Sequence, residues 1–134
     1  MTCTLADIYA GFKHRLDTID GLRATTAEPD KPNFPAAYPR LLQGGTTDFD
    51  GDIEYLFEVW AIVGLESGFN RAQNEVAPYL SPSGRKSISC AIEGDPTLHG
   101  TVSYSWIEAI GTPQRLDMAG LTVYGGNLRI RVFA

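Results

Sequence analysis

Residues 67–100 read SGFNRAQNEVAPYLSPSGRKSISCAIEGDPTLHG, and the turn residues inside this stretch separate two short helices. The first half predicts a helix, because its side chains recur every three or four residues and so share one helix face. These side chains are Phe69, Ala72, Gln73, Val76, Tyr79 and Leu80. Residues 81–84 end the helix, since proline cannot continue it and glycine tolerates a positive φ. The stretch therefore supplies packing surfaces and turns, without the spacing of metal ligands or of a nucleophile beside a base.

A second, shorter helix is predicted after this turn. Its apolar face consists of Ile88, Ala91 and Ile92, and Ser83 is the predicted N-cap. The sequence Gly-Asp-Pro at residues 94–96 ends the helix, and the chain then runs into a strand.

An amphipathic helix is also predicted near the N-terminus, where Thr2 or Thr4 can serve as the N-cap. Asp7 lies in its first turn and basic residues 13–15 lie further along, which suits the helix dipole. Asp20 and Gly21 stop the helix. The apolar face comprises Leu5, Ile8, Tyr9, Phe12, Leu16 and Ile19.

Residues 52–64 give the strongest strand signal in the chain, because side chains of alternating character point to opposite faces of a strand. One face is apolar throughout and comprises Ile53, Tyr55, Phe57, Val59, Ala61 and Val63. The other face changes from acidic, at Glu54 and Glu58, to apolar at Trp60. The strand is therefore expected to start half exposed and to end buried on both faces, or to meet a partner at its end. The two glutamates are interpreted as a solvated strand face.

Further extended segments are predicted at residues 22–26, 36–42, 101–110, 115–118, 121–124 and 128–134. Pro39 cannot donate to a strand ladder, so it is expected at a sheet edge or a bulge. Residues 43–51 are predicted as a connecting loop, and residues 125–127 as a hairpin turn or a bulge within one long strand. The order of elements predicts a single α+β domain over residues 1–134. Its sheet is mostly antiparallel, with the N-terminal helix and the two central helices packed on one side.

The composition excludes several classes of function. The chain has 134 residues, of which 43% are hydrophobic and 20% charged, as is usual for one soluble domain. Its net charge of −5 argues against a basic surface that holds nucleic acid. Neither a signal peptide nor a membrane-spanning stretch is predicted. Cys3 and Cys90 are interpreted as unpaired thiols in a reducing compartment, so a cytoplasmic protein is expected.

The sequence predicts no enzyme, cofactor or metal site, because it lacks the glycine-rich phosphate loops and nucleophile motifs of the common catalytic folds. His14 is interpreted as a solvated helix-face residue, and His99 as a hydrogen-bonding residue of a turn. Residues 48–52 resemble a calcium loop in composition only, since the required downstream glutamate is missing. Arg129 and Arg131 face away from the apolar side of the last strand, where they meet an acidic partner or keep the strand soluble.

Several stretches together carry a family resemblance. They are EVAPYLSPSG at residues 75–84, Ser87-Ile88, Ala91-Ile92, DPTL at residues 95–98, Gly100, LDTIDGLR at residues 16–23, PAA at residues 35–37 and LRIRVF at residues 128–133. The chain resembles the tail terminator (tail completion) proteins of long-tailed phages of actinobacteria. The likeness covers nearly the whole chain and consists of turn and packing signatures. It departs from the family at Pro78, inside a predicted helix, and at the loop around residues 44–45.

The resemblance implies a small α+β virion subunit that forms a hexameric ring. Such a ring caps the tail tube, ends tube polymerisation and joins the head–tail connector or stopper protein. Double-stranded DNA passes through its lumen without specific binding, and an acidic subunit suits a channel along which DNA slides. Assembly takes place in the host cytoplasm, with no membrane involved.

A ring requires head-to-tail contacts between neighbouring subunits, often through exposed strand edges. Asp48, Phe49 and Asp50 of the loop, with Arg129 and Arg131, are the residues expected at the subunit or tube interface. One alternative is another neck protein, such as a head-completion stopper or adaptor, or a tail-tube subunit that polymerises without limit. A small ligand-binding or enzymatic α+β domain is the alternative from a different class.

Overall fold

The computed structural model describes residues 4–29, 33–47, 53–65, 68–118 and 120–134, which contain three helices and six strands. The helices are α1 (Leu5–Leu16), α2 (Phe69–Leu80) and α3 (Ile88–Glu93). The strands are β1 (Arg23–Ala24), β2 (Ala36–Thr47), β3 (Ile53–Gly64), β4 (Tyr104–Ile110), β5 (Gln114–Met118) and β6 (Leu121–Phe133). The predicted α+β class, with a mostly antiparallel sheet and helices packed beside it, is confirmed.

The strands form one sheet in the order β1-β2-β3-β6-β4, with β5 also paired to β6. All pairs are antiparallel except that of the two-residue β1 with β2. β5 pairs with the first half of β6 and β4 with the second half, both on the side away from β3. On one side the sheet ends in the two-residue β1, which covers only the start of β2 and leaves the rest of β2 as the outermost described strand. On the other side it ends in the interrupted edge β4–β5.

The main hydrophobic core lies between the helices and one face of the sheet. A smaller apolar cluster of Ala36, Tyr38, Ile62 and Val123 lies on the opposite face. α1 packs onto β3, with the rings of Phe12 and Phe57 centred 5.1 Å apart. Burying such side chains is the main favourable term in folding. Fully buried core side chains are Ile8, Phe12, Leu16, Phe57, Val59, Val76, Ile88, Ile92, Leu98, Leu128, Ile130 and Val132. β3 begins exposed and becomes buried along its length, as its changing second face predicts.

The caps of the helices show why they begin where they do. Thr4 and Asp7 form a capping box at α1, in which each side chain accepts a hydrogen bond from the other residue's backbone N–H. At α3 the predicted cap Ser83 is wrong. Ser87 caps the helix, because its hydroxyl accepts from the Cys90 N–H at 3.1 Å and donates to the Ser81 carbonyl at 2.6 Å.

β2 is longer than predicted, since residues 43–47 of the expected loop continue the strand. In this part β2 has more residues than the paired part of β3, and the register shifts twice, between Leu41 and Gln43 and between Gln43 and Thr46. Such bulges bend a strand and disrupt its ladder locally. Pro39 lies in β2 beyond the reach of β1, at the sheet edge where its missing N–H breaks no bond, as predicted.

Residues 125–127 form neither a hairpin nor a bulge against β3, because β6 pairs with β3 without a shift from Val123 to Phe133. The two glycines serve close packing instead. A Cβ at Gly125 would collide with the carbonyl oxygen of Ala61, and one at Gly126 would lie 2.6 Å from the Leu80 side chain of α2. The pair thus lets β3 and α2 approach β6 from two sides.

Candidate interaction surface

The sheet face opposite the helices, here called the free face, carries most of the charged side chains of the strands. Residues directly opposite each other on antiparallel strands share a face. By this register, the free face of the central strands includes Glu54, Leu56, Glu58, Trp60 and Ile62 of β3 with Asn127, Arg129, Arg131 and Phe133 of β6. β2 adds Tyr38 and Arg40, and β4 adds Tyr104 and Trp106.

Glu58 is a carboxylate at the centre of the free face, and only 5% of the residue is exposed. Its Oε1 accepts a hydrogen bond from Trp60 Nε1 and its Oε2 accepts one from Asn127 Nδ2, each at 2.7 Å. The Arg40 guanidinium lies 3.8 Å from Oε1. The predicted solvated position of Glu58 is therefore wrong, because two donors and a cation replace water around it.

Arg131 is held between two carboxylates of its own chain. Its Nη1 donates to Glu54, and its Nη2 donates to Glu108 at 2.8 Å. The bond to Glu108, followed by that to Glu54, raises the pKa of Arg131. Glu108 is the extra residue where the register of β4 shifts between Ile107 and Ala109, and bulges commonly re-aim a side chain in this way.

Arg129, unlike Arg131, forms no ion pair with a described carboxylate. It is exposed and lies opposite Glu58 in β3 and Ala109 in β4. Among the described residues, its guanidinium has no carboxylate within ion-pair distance. An interface role for both arginines stays a prediction, and Arg129 is the one whose charge a partner can neutralise without breaking an existing pair.

Three aromatic rings form an exposed patch at the β4 edge of the free face. The ring centroid of Trp106 lies 5.0 Å from that of Phe133 and 6.2 Å from that of Tyr104. Tyr104 is 50% exposed and Trp106 42% exposed. Aromatic side chains with this much accessible area are typical of protein contact surfaces.

A groove of about 560 Å³ lies at the opposite edge of the sheet, beside β2. It is lined by Ala6 and Tyr9 of α1, by residues 26–28 and by residues 38–41 of β2. The groove exists because the chain leaves β2 after Thr25, whose N–H donates to the Ala37 carbonyl at 3.0 Å. From this point on, the outer side of β2 has no neighbouring strand among the described residues.

The predicted interface residues Asp48, Phe49 and Asp50 lie outside the described residues, as does the calcium-like segment 48–52. The structure pairs Thr47 with Ile53 on either side of them.

The two histidines are in contact, although nothing in the sequence pattern indicated it. Their rings, at His14 and His99, stack with centroids 3.6 Å apart. His99 adopts a φ of +62° in the turn before β4, and its backbone N–H donates to the Asp95 carboxylate at 3.2 Å. Both side chains are exposed, which confirms the expected solvated position of His14.

Within the described ranges, no group of three or more His, Cys, Asp or Glu side chains is placed to hold a metal ion. The described helices are all too short or too polar to cross a membrane.

No protein-family model matches the chain, and no curated protein matches its sequence.

Proposed function

We propose that this protein is a tail terminator subunit of a long-tailed phage. As a virion structural protein, it forms a ring that caps the tail tube, ends its polymerisation and joins the tail to the head–tail connector. Genomic DNA passes through the central channel. The resemblance along nearly the whole sequence suggests this role. The observation that supports it is that β4, and β2 beyond its short pairing with β1, each have one edge with no partner strand among the described residues.

The two edges suit repetition of the subunit. β2, β3, β6 and β4 alternate in direction, so the two outer strands run in opposite directions. Copies set side by side in the same orientation therefore bring antiparallel edges together. This is a heterologous arrangement, which closes into a ring when the rotation between copies allows it. The helices of all copies then lie on the same side.

The charge of the chain is compatible with this role. A subunit of net charge −5 weakly repels a phosphate backbone, so a ring of such subunits does not hold the DNA that passes through it.

Electron microscopy of phage particles, with the gene for this chain present and deleted, tests the proposal. Overlong tails without heads, restored to normal length by the gene supplied in trans, are the expected result. Tails of normal length beside heads that leak DNA would move the protein to the head side of the neck. Unchanged, infectious particles would contradict any role in the virion and favour an unrelated ligand-binding or enzymatic domain.

A further inference from the structure

We propose that neighbouring copies join by strand pairing, with the β4 edge of one copy entering the groove beside β2 of the next. The inference specifies how the subunits of the proposed ring contact one another. Only the closure of the paired copies into a ring rests on the proposed function. The partner is a second copy of this chain, in the same orientation.

Within the part of the chain that the structure describes, no strand pairs with the groove side of β2 beyond Ala37. Along a strand, the N–H and C=O groups of successive residues point to alternate sides. The Ala37 carbonyl accepts from the Thr25 N–H and therefore points away from β3. Pro39 and Leu41 are two and four residues further along the strand, so their backbone groups point away from β3 as well. Pro39 offers only its carbonyl, whereas Leu41 offers both a donor and an acceptor.

The β4 edge is open in the same way. The Gly111 N–H donates to the Asn127 carbonyl at 2.6 Å and so faces β6, which turns the backbone groups of Ile110 outward. β4 also contains no lysine, arginine or proline, the residues that protect most natural edge strands. Ile110 is 39% exposed, so an apolar side chain lies at the open edge.

A second copy fits these edges better than pairing of β4 with itself. The groove of about 560 Å³ gives an incoming strand room beside β2. Two-fold pairing of β4 with β4 would leave this groove empty and bring two Glu108 carboxylates into the same short ladder, where like charges repel.

The charges of the two edges are complementary. In an antiparallel pairing, the start of the open stretch of β2 meets the end of β4, which brings Arg40 beside Glu108. Each side chain already has an ion-pair partner in its own chain, Glu58 for Arg40 and Arg131 for Glu108, so the new contact would join two existing pairs. Both reach solvent, with 64% of the Arg40 side chain and 37% of the Glu108 side chain exposed. The bulges in β2 and β4 limit the ladder to a few residues, so each contact is weak alone and is reinforced by the other subunits of a ring.

Disulfide trapping tests the pairing. Arg40 and Ala109 are exposed and lie on the free face, one at each edge. In a Cys3→Ser, Cys90→Ser background, a chain carrying both Arg40→Cys and Ala109→Cys is supplied to the deletion phage during infection, and the products are separated on non-reducing gels. Two further strains carry one cysteine each, and a third expresses both single-cysteine chains together.

The inference predicts a ladder of covalent oligomers from the double variant, and dimers from the single variants only when both are present. Dimers from Ala109→Cys alone would overturn it in favour of two-fold pairing. Infectious particles without any cross-link would overturn it altogether, while leaving the tail-length test of the proposed function unaffected. If the double variant forms the ladder of oligomers but deletion of the gene leaves tail length unchanged, the strand pairing stands and the proposed function is overturned.

A lysine at the open edge provides a second test that does not depend on oxidation. Ile110→Lys adds a charge to the ladder, whereas Leu121→Lys adds the same charge to a residue 49% exposed outside the two edges. We expect Ile110→Lys to reduce rescue of the deletion phage at least tenfold below that of Leu121→Lys, with the same melting temperature for both purified chains. Equal rescue by the two variants would contradict the inference.

Discussion

The two faces of the sheet consist of alternate residues of the same strands, yet they are stabilised by different interactions. On the helix-covered face, Ile130 and its neighbours are fully buried among apolar side chains. On the free face, the apolar cluster around Ile62 is small, and polar pairs prevail beside it. Arg131 lies between two carboxylates and Glu58 between two donors. Apolar burial is non-directional and follows from composition, whereas the polar pairs depend on strand register. The free face is therefore the part most sensitive to small changes in geometry.

The largest effect is expected on the helix-covered face. Phe57→Ala removes a fully buried ring that contacts Phe12, which leaves a cavity in the core. We expect the free energy of unfolding to fall by about 3–5 kcal/mol in urea denaturation. A loss below about 1 kcal/mol would show that the helices pack loosely on the sheet.

A smaller effect is expected at the centre of the free face. Glu58→Ala leaves Trp60 Nε1 and Asn127 Nδ2 without their acceptor, which should cost about 2 kcal/mol. Glu58→Gln is the matched control, because its amide oxygen keeps one acceptor and its volume is unchanged. Equal stability of the alanine variant and the wild-type chain in urea would contradict the buried hydrogen bonds.

The ion pairs of Arg131 with Glu54 and Glu108 should contribute less to the free energy of unfolding, because these side chains are partly exposed. A double-mutant cycle with Arg131→Met and Glu108→Gln should give a coupling of about 0.5–1 kcal/mol that weakens as salt is added. A coupling that is zero in low salt would mean that the pair contributes nothing to the free face.

The smallest expected change in stability concerns Tyr38, also on the free face, and it appears only at alkaline pH. Burial, with a smaller contribution from Glu28, raises the pKa of Tyr38 above its ordinary value of 10.0. The folded state therefore favours the neutral phenol, so its contribution to stability is complete below pH 10 and is lost as the pH rises above 10. Tyr38→Phe should flatten the fall in melting temperature above pH 10. An unchanged alkaline slope would contradict the burial of the hydroxyl.

Much of the fold follows from patterns within single segments. The apolar spacing of α1 and the alternation in β3 both place Phe12 and Phe57 correctly in the core, because period alone decides which side chains share a face. Boundaries were harder to predict where a tertiary contact decides them. Ser87 caps α3 by accepting from the Cys90 N–H, while its hydroxyl is held by donating to the Ser81 carbonyl. The glycines of β6 allow other elements to approach closely, which no local pattern encodes.

The free face was less predictable for the same reason. Trp60 lies two residues from Glu58 on one strand face, and this spacing could have indicated an indole N–H within reach of the carboxylate, whereas Glu58 was interpreted as solvated. Asn127 and Glu108 could not be placed without the register of β6 and the bulge in β4. The stacking of His14 on His99 joins residues far apart in the chain and likewise leaves no local signal.

The central claim is that this chain ends tail-tube growth, and polymerisation of purified tube protein from the same phage tests it most directly. Tube length is measured by electron microscopy after the chain is added to growing tubes, with the chain carrying Ile110→Lys as the matched control. The account predicts that wild-type chain stops elongation and leaves one ring at a tube end, while the variant stops it poorly. Tubes that continue to lengthen with wild-type chain present, or tubes built from the chain alone, would contradict it.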